Sequence, residues 1–197
     1  MNLSIRPISF CVLTLLLTSH PALAKEEKMP KFTSKTVDAK SITLNDLLKD
    51  KPVLIFDFWA LWCRDCIHFF PNLDDLKKKY KKDLTIVSVN GDTTQKASEV
   101  RSYITGKKYD FTVLLEPDNR LKNMMRVTFL PTMLVVAPDG MVMYRHVGPN
   151  TELKNILDKE IQALVRARDA AAPKPDDPKS AQDLKKSGKS GGTPSNK

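Results

Sequence analysis

The run Val53-Leu54-Ile55-Phe56-Asp57-Phe58-Trp59 is apolar except for one carboxylate, and four residues after it come Cys63 and Cys66, separated by two positions. An apolar run without polar alternation suits a β-strand covered on both faces, and Pro52 is compatible with the first position of a strand. A strand that delivers two cysteines to the first turn of a helix makes a dithiol that is both exposed and acidic. The N–H groups and macrodipole at the helix start stabilise the Cys63 thiolate. Such a pair can exchange electrons with a disulfide: Cys63 attacks, and Cys66 resolves the mixed disulfide by attacking Cys63. A metal pair or two inert thiols are the other readings. A zinc site takes four ligands, yet beyond the cysteines the chain offers only His20, His68 and His146. His68 follows Cys66 by two positions on the expected helix and points elsewhere, so redox chemistry is the preferred reading and no metal is expected.

The pattern around this feature reads as alternating strands and helices. Phe32 to Lys40 gives an opening strand and turn, Asn45 to Lys49 a helical turn after Thr43, and Val53 to Trp59 the central strand. Helix is expected from Cys63 to about Lys82, kinked at Pro71, which removes one i→i−4 hydrogen bond. Leu84 to Asn90 is a β-branched strand, Gln95 to Thr105 an amphipathic helix and Phe111 to Leu115 a short extra strand before Pro117. Arg120 to Arg126 forms a helix feeding a loop at Pro131. Thr132 to Ala137 and Met141 to Val147 pair as a hairpin over Pro138-Asp139-Gly140. Glu152 to Val165 closes the domain with apolar residues at Leu153, Ile156, Leu157, Ile161 and Leu164. This order implies an α/β fold, a mixed central sheet flanked by helices on both faces.

The ends bear on compartment and partners. Arg6, the apolar run Ile8 to Leu17 and Ala22-Leu23-Ala24 before Lys25 form a signal-peptide pattern over residues 1–24. The apolar run is about ten residues, short of the roughly 20 that span a bilayer. A retained anchor facing the periplasm is the alternative to a cleaved leader. Cys11 follows Phe10 within that run, where a lipidated cysteine would need a small residue before it. Removing the leader leaves Cys63 and Cys66 alone, which is no disulfide framework for an exported domain. The full chain carries a formal charge of +9, part of it in residues 166–197, a Pro-, Gly-, Lys- and Ser-rich stretch expected to be a disordered, solubilising tail. Residues 25–165 are then the single folded domain, with no nucleic-acid partner expected and a monomer assumed.

The spacing of Cys63 and Cys66 and the Phe129-Leu130-Pro131-Thr132-Met133 segment resemble the thioredoxin superfamily, and most closely its secreted TlpA/ResA-type thiol–disulfide oxidoreductases. Residues 32–40 are similar to that group's N-terminal extension, and the Phe111–Leu115 strand to its central insertion. The resemblance implies a thioredoxin-like fold, a cis bond at Pro131 facing the dithiol, and a Leu130 backbone turned toward an extended substrate segment. Thioredoxins also carry an Asp at the offset of Asp57. A buried carboxyl there has a raised pKa and suits a general base for Cys66, unless it is simply paired with a cation such as Lys96. Trp62 is expected at the apolar rim beside Cys63, and Trp59 in the core. Between the cysteines, Arg64 favours the thiolate and Asp65 disfavours it, so the two tune the couple in opposite directions. Several heme-maturation members have a Glu three residues after the second cysteine, where this chain has Phe69.

The function expected is a periplasmic thiol–disulfide oxidoreductase that reduces disulfides in envelope proteins and is recharged by a membrane donor of the DsbD/CcdA type. Apocytochrome c heme-site cysteines are one substrate class implied, and no cofactor is needed beyond the Cys63–Cys66 redox-active disulfide. A disulfide oxidase or isomerase is the alternative within the same chemistry. A thiol chaperone holding Cu(I) on Cys63, Cys66 and His146, or a binding module with vestigial cysteines, stands outside it.

Overall fold

The computed structural model describes residues 27–50, 52–92 and 96–172. The signal-peptide pattern, Cys11, His20 and residues 173–197 lie outside the described residues. β3 (Val53–Trp59) is fully buried and sits at the centre of the sheet. It pairs in parallel with β4 (Leu84–Asn90), from Val53↔Leu84 to Trp59↔Asn90, and antiparallel with β6 (Thr132–Val136). Hydrogen bonding to neighbours on both edges and side chains buried on both faces account for its lack of polar alternation.

Seven strands follow the order β2-β1-β5-β4-β3-β6-β7, with β1 at Thr33–Thr36, β2 at Ser41–Thr43, β5 at Thr112–Leu115 and β7 at Val142–Val147. β5 is not peripheral. It runs parallel to β4 and antiparallel to β1, and so joins the opening hairpin to the central strands. The β1–β2 hairpin itself contains a strand, β2, that the sequence pattern did not indicate. The β6–β7 hairpin turns where Gly140 adopts φ 88° and donates to the Ala137 carbonyl at 2.9 Å, a left-handed backbone that glycine adopts without a Cβ clash.

Helices cover both faces. α1 (Leu44–Leu48) starts with a capping box: Thr43 N donates to Asp46 Oδ2 at 2.9 Å, and Asp46 N donates to Thr43 Oγ1 at 3.2 Å. Together with α4 (Arg120–Met124) it covers Leu54, Phe56, Phe58, Val87 and Leu134. The opposite face, with Val53, Ile55, Trp59, Ile86 and Val135, lies under α2 (Arg64–Tyr80), α3 (Ala97–Lys107) and α5 (Leu153–Ala171). Pro71 lies inside α2, as the pattern implied.

α5 corrects one boundary. The sequence pattern ended the domain at Val165 and began a disordered tail at Arg166, but the helix continues to Ala171. Apolar periodicity stops at Leu164 and Val165, and polar contacts take over: Arg168 reaches Asp83 at 2.7 Å, beside the end of α2. The helix ends at Ala172, whose ψ of 137° is extended, the region preferred by a residue that precedes proline. Among the described residues, no helix is long and apolar enough to cross a membrane.

Candidate active site

The dithiol is built by the turn that follows β3. Cys63 N donates to the Ala60 carbonyl at 3.0 Å, and Cys63 then serves as the N-cap of α2 in extended backbone (φ −80°, ψ 95°). Its Sγ accepts the backbone N–H of Cys66 at 3.3 Å, and its carbonyl accepts Ile67 N at 3.1 Å. A sulfur in the capping position is aimed at the unpaired N–H groups of the first turn, the environment that stabilises a thiolate. The two cysteines form a disulfide with Cα atoms 5.3 Å apart. Cys63 is 6% exposed and Cys66 fully buried, so only Cys63 offers an edge to another molecule.

Around this edge the side chains divide by exposure. Trp62 is 68% exposed, whereas Trp59 is fully buried and packs edge-on against Phe70 at 4.8 Å between ring centroids. Arg64 and Asp65, between the cysteines, are exposed. The Leu130–Pro131 peptide bond is cis. Two hydrogen bonds hold its loop: Gly148 N to the Pro131 carbonyl at 2.8 Å, and Thr132 Oγ1 to the Phe129 carbonyl at 2.7 Å. A groove of about 220 Å³ opens between α2 and this loop, with Asp65, His68, Phe69, Pro131, Met133 and Leu153 among its walls. His68 therefore borders the site rather than turning away from it. Phe69 gives the groove an apolar wall.

Asp57 is fully buried, and neither carboxylate oxygen has a hydrogen-bond partner. No salt bridge joins it to Lys96, so the simple cation-paired carboxylate is not what is found. Burial alone pushes its pKa up to about 8. By the alternation of β3 its side chain lies with Ile55 and Trp59 on the face under α2 that also holds Cys66.

Two further positions were not singled out from sequence. Ser88 is the register partner of Asp57 across the β3–β4 pair, and Asn90 is that of Trp59; both are buried. A serine and an asparagine in a β-branched strand were a visible signal, weaker than a carboxylate because hydroxyls and amides are less costly to bury. Phe129, two residues before Pro131, and Val147, the register partner of Thr132, are exposed apolar residues that the sequence reading did not assign to the site. His146, the third ligand of the copper alternative, has Nε2 2.8 Å from the Gly148 carbonyl. A carbonyl only accepts, so Nε2 carries the proton and is not free to bind metal. Among the described residues no group of three or more His, Cys, Asp or Glu side chains comes together.

A model of the AhpC/TSA family matches residues 26–145. The thiol–disulfide oxidoreductase ResA of a Bacillus cereus strain is 32% identical over 147 residues, covering 69% of this chain and 82% of that protein. The thioredoxin-like protein YneN of Bacillus subtilis is 30% identical over 135 residues, covering 67% and 78%. Among solved structures, a Chlorobium tepidum protein described as a candidate thiol:disulfide interchange protein DsbE superimposes with a TM-score of 0.64 at 30% identity, over 73% of this chain and 99% of that one.

Proposed function

Because the chain belongs to the AhpC/TSA family as a thiol–disulfide oxidoreductase with a thioredoxin-like fold, we propose that it acts as a reductant of protein disulfides in the cell envelope. The observation that carries this reading is the asymmetry of the pair: Cys63 caps α2 and keeps 6% of its surface exposed, while Cys66 is fully buried. The Cys63 thiolate attacks a substrate disulfide, forming a mixed disulfide and releasing one substrate thiol. Asp57 takes the Cys66 proton, the Cys66 thiolate attacks Cys63 Sγ, and the second substrate sulfur leaves as a thiolate. Substrate gains two electrons, and the protein is left as the Cys63–Cys66 disulfide.

Trp62 and the Leu130–Pro131 loop flank Cys63 and offer an apolar rim and a backbone edge to an extended segment of substrate. A dithiol used up in each turnover outside the cytosol needs a membrane donor, for which the DsbD/CcdA type is the natural class. Apocytochrome c heme-site cysteines fit as substrates, although Phe69 gives the groove a more apolar wall than a glutamate would.

The reduction potential tests the direction. Equilibrating the Lys25-to-Lys197 protein with glutathione or dithiothreitol should give a value near or below thioredoxin's, about −270 mV. A value near DsbA's, about −120 mV, would overturn the reductant reading and make the protein an oxidant or isomerase.

A further inference from the structure

The core beneath the dithiol holds buried polar groups that thiol–disulfide exchange, as described so far, leaves unused. Ser88 lies opposite Asp57 across the parallel β3–β4 pair, and its hydroxyl, like both Asp57 oxygens, is buried without a hydrogen-bond partner in the protein. Two residues further along both strands, and so on the same face, Trp59 lies opposite Asn90. Trp59 Nε1 and Asn90 Nδ2 are again buried and unpartnered. Each such group costs about 1–3 kcal/mol if nothing meets it, and buried groups of this kind are normally met by ordered water. These four are not scattered through the core. They occupy two successive registers of two neighbouring strands, and the second register ends beside Gly91 and Asp92, which are half-buried at the surface.

We propose that Asp57, Ser88 and Asn90 line a hydrated seam along β3 and β4 that carries the proton of Cys66 to solvent at the end of β4, with Ser88 the positioning residue that keeps Asp57 in contact with the seam. The inference rests on Asp57 being the base for Cys66. It supplies what that assignment lacks: a fully buried carboxyl that takes one proton per turnover must also release one. The proton leaves Cys66 Sγ for an Asp57 oxygen as the Cys66–Cys63 bond forms and the Cys63–substrate bond breaks. Asp57 can take that proton only after releasing its own to bulk water along seam waters held by Ser88 and Asn90, so the release precedes resolution and moves no electrons.

Among the described residues no cation is buried on this face, and Lys77 of α2 donates to the Lys81 and Leu84 carbonyls at 3.0 and 2.9 Å. The buried titratable groups on this face of the sheet are Cys63 and Cys66 with Asp57, and β6 and α5 contribute Met133, Leu157 and Ile161. Tyr80, Tyr103, Tyr109 and Tyr144 pack against its margins. Burial raises the first three phenols further from neutral pH.

The test uses the reduced protein and Ellman's reagent. Cys63 attacks first and releases one thionitrobenzoate; resolution by Cys66 releases the second. Ser88→Ala should slow the second phase about tenfold, raise its solvent deuterium isotope effect and displace its pH profile, while the first phase keeps its rate. Ser88→Thr, which retains the hydroxyl, should restore all three. A Ser88→Ala second phase with wild-type rate, profile and isotope effect would overturn the seam, while Asp57→Asn still flattening the profile would leave the base assignment standing. If Asp57→Asn also keeps the wild-type profile, the base assignment falls and the seam with it. Infrared spectra of protonated Asp57 give a second readout independent of turnover. Its carboxyl stretch should shift on Ser88→Ala, and an unshifted band counts against the contact.

Discussion

Asp57 is the residue at which function opposes stability. Its carboxyl is buried without a partner and titrates near 8 in the folded protein, against 3.8 for the ordinary group. The folded state therefore holds a proton that the unfolded state has lost between those two values. The unfolded chain binds fewer protons there, so stability falls as pH rises through that window and levels off above about 8. The penalty reaches on the order of 4 kcal/mol at pH 7. Asp57→Asn should make the protein more stable at neutral pH by about 3 kcal/mol, with the two forms converging near pH 4. Urea denaturation at several pH values measures this, and equal stabilities at pH 7 would refute the raised pKa. At the two sulfurs, Cys66→Ser should trap a mixed disulfide on Cys63 that mass spectrometry detects, and Cys63→Ser should form none. The sequence displayed these three residues openly, as two cysteines at a short spacing and one charge in an apolar run. It did not display Ser88 as part of the site, because only the β3–β4 register puts it opposite Asp57.

Among the elements, legibility followed the hydrophobic pattern and failed where other forces set the boundary. β3 and β4 are both long, apolar and buried, and their limits match the residues at which the pattern starts and stops. β2 has three residues, Ser41–Thr43, too few to show a period, and it forms because β1 lies antiparallel beside it. α5 runs past its apolar stripe because its last turns are tied by charge rather than by burial. Arg168 reaches Asp83 at 2.7 Å, whereas the bonds of Tyr80 and Lys79 to Asp158, at 2.8 and 2.6 Å, lie in the second turn, within the apolar stripe. These groups are partly exposed, so each contact contributes little, within about 1 kcal/mol. Ending the chain after Val165 should therefore lower stability by about 1–2 kcal/mol in urea denaturation while leaving the Cys63–Cys66 potential unchanged. A loss of several kcal/mol would mean that residues 166–171 support the core itself.

At the scale of the whole molecule, the central sheet separates two cores with different tasks. Phe70 belongs to the face that carries the dithiol. It is fully buried in α2, with its ring 4.8 Å from Trp59 and 5.5 Å from Phe111, and it follows Cys66 by four residues, one helical turn. Phe56 belongs to the other face, also fully buried, with Phe32 edge-on at 6.0 Å. Either Phe→Ala change opens a cavity and should destabilise the protein by about 3–5 kcal/mol. Their effects on redox chemistry should differ. Cys63, Cys66 and Phe70 belong to one buried cluster, so Phe70→Ala should alter the relative stability of the dithiol and disulfide states, at about 30 mV per 1.4 kcal/mol. Phe56→Ala changes a layer that contacts neither cysteine, and both states should lose the same stability. Glutathione equilibration of the two variants, run beside their urea denaturation, separates these effects. Equal shifts in potential for both would show that the couple follows global stability, and that the sheet does not insulate the dithiol from the core on its far side.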